Sequence, residues 1–255
     1  MRDGDIWYAD WNGSDWNTPV KLGPQINRSP GIDQSPSVSA DGQKLYFVAD
    51  SREGHLWDIW VSTWNPSLND WGTPVNVGYP VNTPGVEFSA HLAPDGRLFF
   101  SSSADPDSLF PFGRYGIYVS EWNGSSWSVP EEQWAQGSIP YYPSVPADGQ
   151  WLYFHDISDI YVARWNGSGW EFPAYNLRQQ LGGRGATPSI VPSGDSLFFQ
   201  GGPDLGGGNG DIFLSKRIDL SKVPAGSNRT LLFLIFILSL AGIYWITVTN
   251  TLKQT

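Results

Sequence analysis

Two carboxylates, Asp33 and Glu87, stand at matching places in two stretches of similar sequence. Each follows a connection carrying an Asn and a Pro-Gly pair (Asn27 with Pro30-Gly31, Asn82 with Pro84-Gly85), and each precedes an Asp-Gly pair at the same remove. Two carboxylates about 5 to 10 Å apart across a cleft are what glycoside hydrolysis requires. Gathered at the mouth of a channel, the same groups would hold a cation or a ligand. Tied to their own connections, they would be hydrogen-bond anchors. The third stretch has Tyr141 there and the fourth Gly185, and equivalent repeat positions speak for structure more than for a division of labour between acid and base.

Other residues with chemical potential are few. Trp57 stands just before a strand, and Leu109, Phe110 and Phe112 sit in a Pro/Gly-flanked loop, the nearest thing to an exposed apolar patch. Asp33, Glu87, Trp57, Phe110 and Phe112 are the candidate binding residues. His55, His91 and His155 lack metal-ligand spacing, and structural or solvated roles are expected for them. Asp204–Gly210 (DLGGGNG) has neither the Lys-Ser/Thr of a phosphate loop nor a helix after it. Asp105-Pro106-Asp107 lacks calcium-loop spacing. There is no nucleophile elbow and no Cys, so no thiolate site or disulfide forms. No catalytic residue, metal or cofactor is expected.

These residues are carried by a repeat. A turn with the strand after it recurs at Ala40–Phe47 (ADGQKLYF), Pro94–Phe100, Ala147–Phe154 and Pro192–Phe199, the last with Ser193 in place of Asp. The next strand recurs at Asp5–Trp11, Asp58–Trp64 (DIWVSTW), Gly116–Trp122, Asp159–Trp165 and Asp211–Arg217. Short runs rich in aromatic and β-branched residues, bounded by Gly, Asp or Asn, are antiparallel strands joined by hairpins. A unit of about 40 to 50 residues with four such strands is a propeller blade, which covers its faces only by stacking on its neighbours. A third phrase joins strands three and four: WNGSDW at Trp11, WNPSLNDW at Trp64, WNGSSW at Trp122 and WNGSGW at Trp165. If the residues between each Trp pair form the loop, the two rings face each other across the hairpin; if Asn-Gly alone is the loop, the pair is diagonal. The rings then staple the hairpin or, alternatively, offer sugar-stacking platforms.

The Ser-Pro-Ser-x-Ser-x-Asp-Gly-x-x-Leu-Tyr-Phe run followed by Asp-Ile-Trp/Tyr resembles the WD40-like, TolB-type propeller repeat of bacterial envelope proteins over about residues 5–217. The expected fold is therefore all-β, a β-propeller of four-stranded antiparallel blades with about five blade positions, the first incomplete. The chain enters a blade at its third strand, so either upstream strands are missing or the N-terminal hairpin supplies the fourth strand of the last blade. The resemblance implies an envelope-facing module that binds protein or carbohydrate without catalysis. The alternative is a carbohydrate-active hydrolase. A purely structural domain of a longer chain is the third option.

Composition sets the remaining bounds. With 255 residues, 29 Gly and 20 Pro, the chain suits one large turn-rich all-β domain. A net charge of −10 and the absence of a basic stripe exclude nucleic acid as a partner. Residues 1–219 form the propeller and 220–230 a linker. The uncharged run Leu231–Val248 is long enough for a transmembrane helix, about 27 Å, and 249–255 form a short polar tail. Lys216, Arg217, Lys222 and Arg229 before this run would place the propeller inside by charge counting. The resemblance implies export, so a membrane-anchored, extracytoplasmic propeller is expected.

Overall fold

The computed structural model describes residues 4–28, 31–50, 52, 57–103, 115–134, 140–156, 159–171, 174–201 and 211–215. The expected transmembrane run 231–248 lies outside them, as do His55, the Asp105-Pro106-Asp107 and Asp204–Gly210 loops, and Leu109, Phe110 and Phe112. No helix among the described residues is long and apolar enough to cross a membrane.

Eighteen strands and one short helix, α1 (Arg178–Leu181), make up the described fold. An N-terminal hairpin pairs β1 (Trp7–Tyr8) with β2 (Val20–Lys21). The first large sheet holds β3 (Asp33–Val38), β4 (Lys44–Ala49) and β5 (Asp58–Asn65), and two short strands, β6 (Asp70–Trp71) and β7 (Val75–Asn76), both pair with β5. The second runs β8 (Glu87–Leu92), β9 (Leu98–Ser102), β10 (Gly116–Ser120), β11 (Glu131–Trp134). The third runs β12 (Pro140–Ser144), β13 (Trp151–Asp156), β14 (Asp159–Arg164), β15 (Tyr175–Asn176). The fourth has β16 (Gly185–Ile190), β17 (Leu197–Gly201) and β18 (Ile212–Ser215).

This is an all-β, propeller-like succession of four blades among the described residues, and the hairpin β1–β2 stands at the incomplete first blade position. Among the described residues β18 pairs with β17, and an isolated bridge joins Gly4 to Ile32. Residues 5–22 repeat strands three and four, and their register, Trp7 opposite Lys21, copies Trp60 opposite Asn76 in the first sheet.

Prolines sit at both edges of the sheets. Pro19 stands before β2, Pro74 separates β6 from β7 and Pro130 precedes β11, while Pro36, Pro143 and Pro188 lie in the first strands β3, β12 and β16. A residue without an N–H is tolerated at an edge strand or a bulge, and the first strands are register-shifted at these prolines. The first strands face inward and pack on one another, β3 on β8, β8 on β12 and β12 on β16. The repeated serines cleat them together. Ser37 accepts a hydrogen bond from the Leu92 N–H at 3.1 Å, and Ser144 one from the Ile190 N–H at 2.7 Å. His91 occupies the equivalent place in β8 and donates from Nε2 to the Val145 carbonyl at 3.0 Å.

Sheets stack through alternating faces of the Leu-Tyr-Phe strands. Tyr46 and Val48 meet Leu98 and Phe100; Phe99 meets Leu152 and Phe154; Tyr153 meets Leu197 and Phe199. The period of two explains why one strand serves two interfaces. Gly185 shows how tight this stacking is, since a Cβ there would lie 2.8 Å from Ile160 Cδ1 and 2.9 Å from Phe199 Cδ2. Gly185→Ala should therefore overpack the third interface and cost about 1–3 kcal/mol. Urea unfolding measures it, and a loss below about 0.5 kcal/mol would refute the close approach.

The Trp pairs settle the register of the third hairpin phrase. Trp11 faces Trp16, Trp64 faces Trp71, Trp122 faces Trp127 and Trp165 faces Trp170, as directly opposed residues. Their rings meet edge-on, with centroids 5.0 to 5.4 Å apart. Such pairs contribute about 0.5–1.5 kcal/mol each. They staple the hairpins, the edge of one ring set against the face of the other.

Candidate functional site

Asp33 opens β3 and is 2% exposed. Its Oδ2 accepts the Arg28 N–H at 2.8 Å; its Oδ1 accepts Arg52 Nη2 at 2.8 Å and Nε at 3.1 Å. Arg52 is itself buried, donates to the Ile26 carbonyl, and lies over the rings of Phe47 and Trp60 at 5.2 and 5.7 Å. Burial pushes the Asp33 carboxyl above its ordinary value, and the Arg28 N–H and the Arg52 guanidinium pull it back. This is a closed ion pair that locks the connection 23–34 to the first sheet.

Glu87 opens β8 and is fully buried. Its Oε1 accepts the Thr83 hydroxyl at 2.9 Å and the Ser102 hydroxyl at 3.0 Å. Burial pushes its carboxyl up to about 7, against those hydrogen bonds and with a small further push from Asp58. It too is spent on its own connection. The matching places in the other two sheets are Pro140, opposite Asp156, and Gly185, opposite Gly201. Tyr141, expected at this place, sits one residue further on, opposite His155.

Trp57 is half-buried with φ 43° and packs against Phe88, centroids 6.4 Å apart. The contact extends as a band of rings: Phe88 meets Tyr115 at 5.3 Å and Tyr141 at 5.6 Å, and Tyr142 meets Tyr141 and His155 at 6.4 Å. The band joins three sheets at the end of the first strands where Asp33 and Glu87 lie. Burial pushes the Tyr141 hydroxyl up to about 12, so it stays neutral. Of the candidate residues, Asp33, Glu87 and Trp57 thus share one end of the molecule without forming an acid–base pair. No group of three or more His, Asp or Glu suited to a metal ion occurs among the described residues.

The open space is elsewhere. A cavity of about 960 Å³ lies between the hairpin β1–β2 and the last sheet and reaches the first strands of every sheet. Ile6, Trp7, Trp11 and Trp16 line one wall, and Ile190, Phe198 and Leu214 the other. Tyr8 and Trp11, at 44% and 51% exposure, stand at its rim. His91 faces it beside its Val145 bond, and burial pushes that imidazole down to about 4. The sequence holds no local sign of this cavity, because its lining is drawn from the N-terminal hairpin and from all four sheets. Arg52 is equally illegible: it approaches Asp33 from a loop across 19 positions.

No family model matches the chain, and no curated protein matches its sequence. Solved structures do match its fold. A gluconolactonase of Xanthomonas campestris superposes with a TM-score of 0.50 at 12% identity, over 79% of this chain and 70% of that one. A TolB-type protein of Agrobacterium tumefaciens gives 0.49 at 19%, over 76% and 62%. The PQQ-bound aldose sugar dehydrogenase of Streptomyces coelicolor gives 0.45 at 14%, over 82% and 86%. At 12% identity the likeness to the gluconolactonase speaks for the fold alone, and the chain spans less than two thirds of the TolB-type chain.

Proposed function

We propose that this chain is a non-catalytic propeller module that binds another molecule at the cell envelope, and that the cavity between the N-terminal hairpin and the last sheet is its binding face. The observation that carries the reading is the contrast between the two ends. Asp33 and Glu87, the pair a hydrolase would need, are buried and bonded to their own connections. The opposite region offers about 960 Å³ walled by Trp, Tyr, Phe, Leu and Ile. Apolar concave space with few polar groups is where binding concentrates. The envelope location rests on the repeat resemblance, and the uncharged run 231–248 supports a membrane tether.

The test uses the full chain and an apolar fluorescent probe, 8-anilinonaphthalene-1-sulfonate. One saturable site on the folded protein is expected, weakened at least tenfold by Ala9→Arg, which puts a charge into the cavity wall. Glycan-hydrolysis assays on the same protein should show no turnover. Turnover that disappears in Glu87→Gln would reject the reading in favour of a hydrolase.

A further inference from the structure

We infer that a second site, the groove between the first and second large sheets, binds a neutral pyranose sugar with Trp122 as its platform. The groove holds about 520 Å³ and shares only Leu92 with the lining of the large cavity. It lies at the end of the sheets that carries the Asp-Gly turns, away from Asp33 and Glu87. Three observations lead there.

The first is how the rings are used. Trp127 is held between two rings, Tyr46 with centroids 6.3 Å apart and Trp122 with centroids 5.4 Å apart, both edge to face. Trp127 therefore carries the packing. Trp122 remains 48% exposed and lines the groove. Stapling a hairpin needs one edge against one face, so it leaves much of this indole unspent. One face of a pyranose is a patch of C–H groups, and their slight positive charge suits the electron-rich face of an indole.

The second is a buried hydroxyl. Tyr46 is 3% exposed and lines the groove. Its hydroxyl makes no hydrogen bond among the described residues, and burial pushes it up to about 12, so it stays a neutral donor. Buried polar groups in folded proteins are nearly always bonded, and a bond left unmade is costly. The stacking of the sheets does not ask for this oxygen. Phe99 meets Leu152 and Phe154 at the next interface as Tyr46 meets Leu98 and Phe100 here. A sugar oxygen in the groove supplies the missing acceptor.

The third is the charge at the rim. Lys44 and Glu121 are exposed, line the groove and form no ion pair among the described residues. Arg97 is oriented by Nε and Nη2, each 2.8 Å from Asp95 Oδ2, and by the Phe99 ring at 5.1 Å. Two cations thus face two carboxylates, which favours a neutral ligand rich in both donors and acceptors. Neighbouring hydroxyls on a sugar ring are such a set: they accept from Lys44 and Arg97 and donate to Glu121. The next interface has Arg97, Phe99 and Arg164 at the places of Lys44, Tyr46 and Glu121, so the repeat does not dictate this combination. Of the four Trp pairs, this one both staples its hairpin and offers a stacking platform.

Saturation-transfer NMR on the full chain tests the site, with methyl β-D-glucopyranoside, methyl β-D-galactopyranoside, methyl α-D-mannopyranoside and N-acetylglucosamine as probes. Saturable binding of at least one is expected, in the millimolar range usual for so small a contact, with transfer strongest to the C–H protons of one ring face. Trp122→Ala should weaken it at least about tenfold. Tyr46→Phe should weaken it about threefold to tenfold without lowering the thermal midpoint, a loss that no loosening of the hairpin explains. The anilinonaphthalene probe should stay bound in an excess of sugar. If no glycoside binds, or if both variants bind as the wild type does, the inference falls. If the sugar displaces the anilinonaphthalene probe, it occupies the large cavity, and the inference falls while the binding face stands. Binding of D-glucuronate without any neutral glycoside would make the groove an anion site and overturn it as well.

Discussion

Replacing Arg52 by Ala should lower the unfolding free energy by about 3–5 kcal/mol, or on the order of 10 °C in thermal midpoint for a domain of this size. Arg52 and Asp33 are 6% and 2% exposed, and two guanidinium N–H groups converge on Asp33 Oδ1. Removal of the guanidinium leaves a buried carboxylate with one backbone N–H, and it also empties the space over Phe47 and Trp60. The stranded Asp33 relieves its charge by taking a proton, which raises its folded pKa further. Its cost is therefore present at high pH and fades as pH falls through that raised value. Urea titrations at pH 8 and pH 5 should show a deficit that is smaller at pH 5. The double variant Arg52→Met, Asp33→Leu should recover most of the loss, because an apolar pair of similar volume needs no compensation. A deficit below about 1 kcal/mol, equal at both pH values, would show that the pair is not closed to solvent.

The second large effect is on the pH profile, where two buried groups oppose each other. Glu87 is pushed up to about 7 by burial, above its ordinary value of 4.5. Between those values the folded state binds the proton and the unfolded state does not, so stability falls as pH rises, by up to about 3 kcal/mol in all. His91 is pushed down to about 4 from 6.5. Between those values the unfolded state binds the proton and the folded state does not, so stability is lost as pH falls. Its ring faces the cavity, so its share is the smaller. The wild-type profile should decline gently from about pH 4.5 to 6.5, where the smaller His91 slope opposes that of Glu87, and more steeply from there to about pH 7. His91→Gln should expose the Glu87 slope, a decline from about pH 4.5 to 7. Glu87→Gln should expose the opposite slope, a rise from about pH 4 to 6.5. Parallel profiles for the wild type and both variants would show that neither group titrates differently in the folded chain.

The two carboxylates also show how far repeat logic reaches. Their equivalence in the sequence is real, since both open a first strand and both bond back to the connection before it. Equivalence marked them as structural, but their partners were not visible: Thr83 is near in sequence, Arg52 is not. His91 was legible only as a departure from Ser in one copy. Its role follows from the fold, where it bonds a neighbouring first strand as Ser37 and Ser144 do. The Trp phrases gave a pair in either register, and the hairpins chose direct opposition.

What the amino-acid order settles by itself is local: strands with a period of two, Asp-Gly and Asn-Gly turns, and the repetition that makes each sheet the cover of the next. Those follow from backbone conformation and from the alternation of side chains, which act within a few residues. The closed state of Asp33 and Glu87 and the cavity lined by all four sheets are decided by the tertiary structure. Each depends on how successive sheets pack on one another, and no single repeat contains that information.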